Sequence, residues 1–121
     1  MASVDDYLIK IRDGEDYRGR GILIKRLVHP ATVGSDQLTV SIAYHNPGEE
    51  VAEHKHVYEE AYFVLQGEGM MTVGDTPKFH ITENDCIYTP SNVNHWTKNT
   101  GDEPLVILCA ITPPPSARDV D

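Results

Sequence analysis

The chain has 121 residues, 40% of them hydrophobic, two cysteines and a formal net charge of −9. That length supports one domain around a single core. The longest basic run is the pair Lys25-Arg26, so the chain lacks the cationic patch that nucleic acid or an anionic membrane surface requires.

No apolar run reaches the roughly 20 residues of a membrane-spanning helix. The start, Met1-Ala2-Ser3-Val4-Asp5-Asp6, has neither the basic nor the apolar segment of a signal peptide. Cys86 and Cys109 each stand inside an apolar run and read as buried thiols rather than a disulfide or a metal clip. The expectation is a cytoplasmic protein.

Residues 1–20 are charged and weakly patterned, and read as an N-terminal arm or extra edge strand. The run Gly21 to Val28 reads as the first clear strand, ended by His29-Pro30 because proline cannot donate to a ladder. Val33-Gly34-Ser35-Asp36 is a turn. Leu38 to Tyr44 then alternates apolar with small or polar residues, as a strand buried on one face does. After the turn Asn46-Pro47-Gly48, the stretch Gly48 to Gly67 reads as a β-hairpin. Short strands follow at Met70–Val73, Lys78–Ile81, Cys86–Thr89, His95–Thr97 and Leu105–Ile111, each bounded by Gly, Asn, Asp or Pro. Residues 113–121 form a proline-rich tail expected to fray. Roughly eight to ten short strands without sustained helical periodicity predict an antiparallel sandwich or barrel over residues 21–112.

Within the central stretch, His54 and His56 are one residue apart and Glu60 follows four further on. In a strand, residues i and i+2 share a face, so both imidazoles can reach one point while Lys55 points away. Glu60 opens the next apolar run, which would return its carboxylate beside them. Two imidazoles and a carboxylate suit a divalent transition metal, with His95 as a fourth ligand. Iron, manganese, nickel, copper and zinc all accept such a set. The competing reading is four polar residues that hydrogen-bond inside a barrel.

The spacing Gly48-x5-His54-x-His56-x3-Glu60-x6-Gly67, followed by Asn84-x5-Pro90-x-Asn92-x2-His95-x3-Asn99, closely resembles the two motifs of the cupin superfamily. Asn84 and Asn92 stand where that family usually has glycine, and asparagine is the best non-glycine tenant of left-handed backbone. The resemblance covers residues 38–111. It implies an all-β fold, the double-stranded β-helix or jelly-roll barrel of a small single-domain cupin, with a metal held by His54, His56, Glu60 and His95. It further implies a metal-dependent enzyme on a small oxygen-bearing molecule, first of all a dioxygenase-type oxidoreductase. Non-redox isomerase, decarboxylase or lyase chemistry is the alternative. A binding or sensing barrel without catalysis is the reading of a different class. Small cupins of this kind are usually dimers, and exposed sheet edges give a homodimer something to cover.

Around the site, Tyr62 shares the parity of Glu60. It reads either as a phenol that bonds substrate or donates a proton, or as a core aromatic. Thr97 shares parity with His95; Trp96 points the other way and packs. His29, His45 and His80 lie outside the motifs and read as surface or loop histidines. Arg18, Arg20 and Arg26 have common parity, which allows them to reach an anionic substrate, though solvent-facing charge on an edge strand is the plainer reading. Glu53 and Glu59 read as rim charges. No nucleophile–base pair, Walker loop or dinucleotide fingerprint is present.

Overall fold

A computed structural model describes residues 1–115. Two 3-10 turns, Val4–Asp6 and Ile11–Asp13, precede β1 (Glu15–Gly19) and β2 (Ile22–Val28). A one-turn helix, α1 (Pro30–Val33), leads to β3 (Thr39–His45), β4 (Glu50–His54) and β5 (Glu59–Gln66). The rest is β6 (Glu68–Val73), β7 (Phe79–Thr82), β8 (Cys86–Thr89), β9 (His95–Asn99) and β10 (Leu105–Thr112). The part of the tail at 116–121 lies outside the described residues.

The strands form a six-stranded sheet, β1-β2-β3-β10-β5-β8, and a four-stranded sheet, β4-β9-β6-β7, with antiparallel pairing throughout. They pack face to face as a jelly roll and do not join into one hydrogen-bonded ring among the described residues. Period-two alternation builds the core between them. On β10, Leu105, Ile107, Cys109 and Ile111 are buried while Val106, Leu108 and Ala110 are only partly covered. On β5, Glu60, Tyr62 and Val64 turn inward and Phe63 and Leu65 outward. The register sets Cys109 between Ser41 and Tyr62. Burying side chains such as Val64, Leu105 and Ile107 contributes about 1.5–3 kcal/mol each.

Gly48 to Gly67 is not a hairpin, because β4 belongs to the four-stranded sheet and β5 to the six-stranded one. Residues 55–58 cross between the sheets. Their carbonyls bond to the loop before β9 instead of to a strand: the Asn92 N–H donates to His56 O at 2.7 Å, and the Ser91 hydroxyl to Val57 O. Alternation identified both strands, but it carries no information about which sheet each one joins. Residues 30–33 are helical, since Pro30 at the first helical position has the right φ and the His29 ring Nδ1 accepts from the Ala31 N–H. Cys86 is exposed, because its parity on the edge strand β8 is opposite to that of Ile87 and Thr89, whereas Cys109 is buried.

The turns behave as asparagine and glycine chemistry requires. Asn84 and Asn92 adopt φ of 72° and 60°. Gly67 has φ +86°, and a Cβ there would lie 2.5 Å from Pro104 O, so backbone conformation and space both demand glycine.

Candidate metal centre

His54 ends β4, Glu60 lies at the start of β5 and His95 opens β9, with His54 opposite His95 in the ladder. His56 lies in the crossing segment, not in a strand. Its imidazole is therefore aimed by the loop rather than by strand parity, and it stacks on Tyr58 with ring centroids 3.8 Å apart. The ring centroids of His54 and His95 are 4.2 Å apart, those of His56 and His95 4.8 Å. The three ligand atoms all lie within 4.8 Å of one another. Bonds of about 2.1 Å to a shared ion would need donors roughly 3–4 Å apart, within reach of small ring rotations.

Each imidazole is oriented by a carbonyl of its own neighbourhood. The His54 Nδ1–H donates to Ala52 O at 2.8 Å, that of His56 to Tyr58 O at 2.8 Å and that of His95 to Val93 O at 3.2 Å. A carbonyl only accepts, so Nδ1 carries the proton in all three rings and the Nε2 lone pairs are left for the site. Glu60, 5% exposed, places Oε1 3.3 Å from His56 Nε2 and 3.7 Å from His95 Nε2. A carboxylate facing such acceptor nitrogens is stabilised by positive charge between them, either a further proton or a metal ion.

Burial pushes the imidazoles of His54 and His95 down to about 4, the charges of neighbouring histidines and of Arg20 adding to it and the backbone hydrogen bonds opposing it. Both rings are thus held in the neutral form that ligates metal. His95 Nε2 is fully buried and has no hydrogen-bond partner, an omission that costs about 1–3 kcal/mol when nothing fills it. A divalent transition metal fits the donor cluster of His54, His56 and His95, which Glu60 adjoins without being part of it.

Beside the cluster a small cavity runs between the sheets. Its walls are mostly aliphatic, with Ile22, Ala43 and Ile107 among them, and Tyr62, Ser41 and Cys109 supply polar atoms. Tyr62 meets His95 edge-on, with centroids 6.2 Å apart. Thr97 is buried on β9. Trp96 faces the other side, donating its indole N–H to Glu50 at 2.7 Å under Lys78.

His45 departs from its expected surface position. It is 3% exposed, lines the cavity and contacts Leu105 O through Nδ1 at 3.1 Å. Burial lowers its pKa. The face of β3 turned inward carries Thr39, Ser41, Ala43 and His45, the parity opposite to the larger apolar residues Val40 and Tyr44, so alternation along the chain offers no sign of it. His29 caps α1 and His80 is half exposed beside Glu68. Arg26 is held by Glu15 at 3.1 Å and lies over the Tyr17 ring, and Arg18 is exposed.

A family model described as a cupin domain matches residues 42–111. The chain belongs to the cupin family. This cupin is 36% identical over 102 residues to an uncharacterized protein of Methanocaldococcus jannaschii, covering 84% of this chain and 81% of that one. It is 31% identical to the polyketide synthase CurC of Streptomyces cyaneus, over 94% of this chain and 76% of CurC. A gentisate 1,2-dioxygenase of Ralstonia sp. is 34% identical over 62 residues, 51% of this chain but 18% of the dioxygenase. Among solved structures, a predicted oxalate decarboxylase of Thermotoga maritima superposes with a TM-score of 0.76 at 24% identity, covering 87% of this cupin and 97% of that chain. The polyketide cyclase RemF of Streptomyces resistomycificus also gives 0.76, at 16% identity over 87% and 78%. At these identities the two structures show a shared fold. No helix among the described residues is long and apolar enough to cross a membrane.

Proposed function

We propose that this cupin is a metal-dependent enzyme acting on a small oxygen-bearing molecule, and that its chemistry is of the dioxygenase type. One observation carries the metal reading: three clustered imidazoles each donate Nδ1–H to a backbone carbonyl, and the buried His95 Nε2 is left without a hydrogen bond. Iron, manganese, nickel, copper or zinc would be held by His54, His56, Glu60 and His95. When bound, such an ion polarises a carbonyl or enolate oxygen and, if redox-active, supports reaction with dioxygen. The chain's own residues do the rest. The aliphatic walls exclude water, and the phenol of Tyr62, a cavity-lining residue, hydrogen-bonds a substrate oxygen.

The dioxygenase reading takes its support from the gentisate dioxygenase match, which spans less than a fifth of that enzyme. A non-redox reading (isomerase, decarboxylase or lyase) is supported by the matches covering most of the chain, with proteins named as a polyketide synthase and a polyketide cyclase. Oxygen uptake separates the two. Fe(II)-loaded protein offered a panel of diketones, catechols and gentisate consumes dioxygen with at least one of them if the first reading holds. No uptake across the panel overturns it in favour of the second. A binding barrel without catalysis predicts ligand retention with no turnover in either assay.

The working form is a homodimer. Exposed Phe63 and Leu65 on the outer face of β5, and the open edges β1 and β8, support a second copy as partner. Light scattering at twice the chain mass tests it. Cys86 and Cys109 as thiols support a reducing, cytoplasmic setting.

A further inference from the structure

We infer that Tyr58 is a positioning residue of this centre: its buried ring is the flat surface that fixes the plane of the His56 imidazole, and so aims Nε2 at the point shared with His54 and His95. The inference rests on the metal-site reading above and names a residue through which that site keeps its shape.

His56 is the member of the cluster without a strand to hold it. His54 ends β4, His95 opens β9, and the two are register partners in one ladder with ring centroids 4.2 Å apart. Residues 55–58 lie between β4 and β5. The bonds that pin this segment act on its backbone, the Asn92 N–H on His56 O and the Ser91 hydroxyl on Val57 O. They hold the main chain in place, but the torsion that turns an imidazole about its Cβ–Cγ bond has only a broad preference of its own.

The bond from His56 Nδ1–H to Tyr58 O at 2.8 Å selects the nitrogen that carries the proton. A hydrogen bond to a carbonyl accepts a broad range of directions, so the ring can still rock about it. The Tyr58 ring removes that freedom. It lies 3.8 Å from the imidazole, centroid to centroid, and 16° from parallel, which is contact across the whole face. The contacts of His56 with the His54 and His95 rings are tilted or edge-on, at 5.5 and 4.8 Å.

Tyr58 can serve this way because its own place comes from the sheet. It is 1% exposed, whereas Val57 and Glu59 on either side are exposed. Tyr58, Glu60, Tyr62 and Val64 share one inward parity, so Tyr58 continues the buried row of β5 one step before the strand begins. Close packing in that row fixes the phenol, and stacking passes the order on to a ring that stands on a loop. Glu60, next in the same row, sets Oε1 3.3 Å from His56 Nε2. The imidazole is thus held on its face by one residue of the row and met at its free nitrogen by the next.

The test is nuclear magnetic resonance relaxation of the imidazole Cε1–H groups in metal-free protein, with melting temperature and with zinc affinity by competition against a chromophoric chelator. In the wild type the His56 ring should be as rigid as those of His54 and His95, although it stands on a loop. Y58L and Y58M, which fill much of the space without a flat face, should loosen His56 alone and weaken zinc binding about 10–100-fold. Y58F should keep the ring order and the affinity of the wild type, whatever its melting temperature. A wild-type His56 ring looser than the other two would overturn the inference, with no variant needed. So would a Y58L or Y58M that melts lower but retains the wild-type ring order or zinc affinity, or a Y58F as impaired as they are; Tyr58 is then a core residue. A wild type that takes up no zinc refutes the metal reading, and the ring-order comparison, made without metal, still decides the role of Tyr58.

Discussion

Asn99 ties three segments of the chain together, and its removal has a calculable cost. The side chain is 1% exposed. Its amide donates to His45 O and Glu103 O, both at 2.9 Å, and its Oδ1 accepts from the Gly101 N–H at 2.9 Å. It thus fastens the end of β9 to the end of β3 and to the turn before β10. In Asn99→Ala all three bonds are lost. Each is worth about 1 kcal/mol net, and a buried group left bare costs about 1–3 kcal/mol. His45 O is buried and bears the full cost, whereas the Glu103 and Gly101 groups lie nearer solvent and are partly rehydrated. The expected loss is about 2–4 kcal/mol. Asn99→Asp keeps the acceptor for Gly101 but sets a carboxylate against two carbonyls, so it should destabilise at least as much. Urea denaturation at neutral pH, with an unchanged m-value, reads both. Zinc content should stay at the wild-type level, because the His95 ring is tied to Val93 O at the other end of β9. Asn99→Ala within about 1 kcal/mol of the wild type, or Asn99→Asp as stable as the wild type, would refute the reasoning.

Other predictions concern the site and the sheets. His54→Ala should abolish stoichiometric zinc binding while leaving the far-ultraviolet circular dichroism unchanged, and retention of zinc would remove His54 from the ligand set. Metal-free protein should lose stability as pH falls from about 6.5 toward 4. Between those values the unfolded chain takes up protons that His54 and His95, held down to about 4, do not, with buried His45 acting in the same direction. A flat stability profile over that window would contradict the neutral-imidazole reading. Gly69→Ala should cost about 1–3 kcal/mol, because a Cβ there meets the Lys98 carbonyl and, at 2.9 Å, the Leu105 side chain. Chemical denaturation measures it, and a neutral result would mean that β6 and β9 separate freely.

The clustered histidines His54, His56 and His95 and the all-β fold were legible in the sequence because both rest on local regularities. Histidines at one-residue separation stand out in any strand-rich chain, and alternation on Leu38–Tyr44 or Leu105–Ile111 marks strands without reference to their partners. What could not be read was long-range. β4 and β5 look like a hairpin because nothing within Gly48 to Gly67 records that His56 O is bonded from Asn92, and that bond carries the chain from one sheet to the other. His45 was misplaced because the buried parity of β3 is that of Thr39, Ser41 and Ala43, opposite to the one its larger apolar residues mark.

The carbonyls that orient the three imidazoles come from Ala52, Tyr58 and Val93, each two residues from the ring it fixes. The histidines are therefore aimed by their own short peptides, independently of β2, β3 and β10, whose side chains wall much of the cavity. Replacing Ile22, Ser41, Ala43 or Ile107 alters what the cavity admits without disturbing how the rings point. A lineage built on this plan can reshape its cavity in small mutational steps, none of which has to pass through a form that has lost the imidazole cluster.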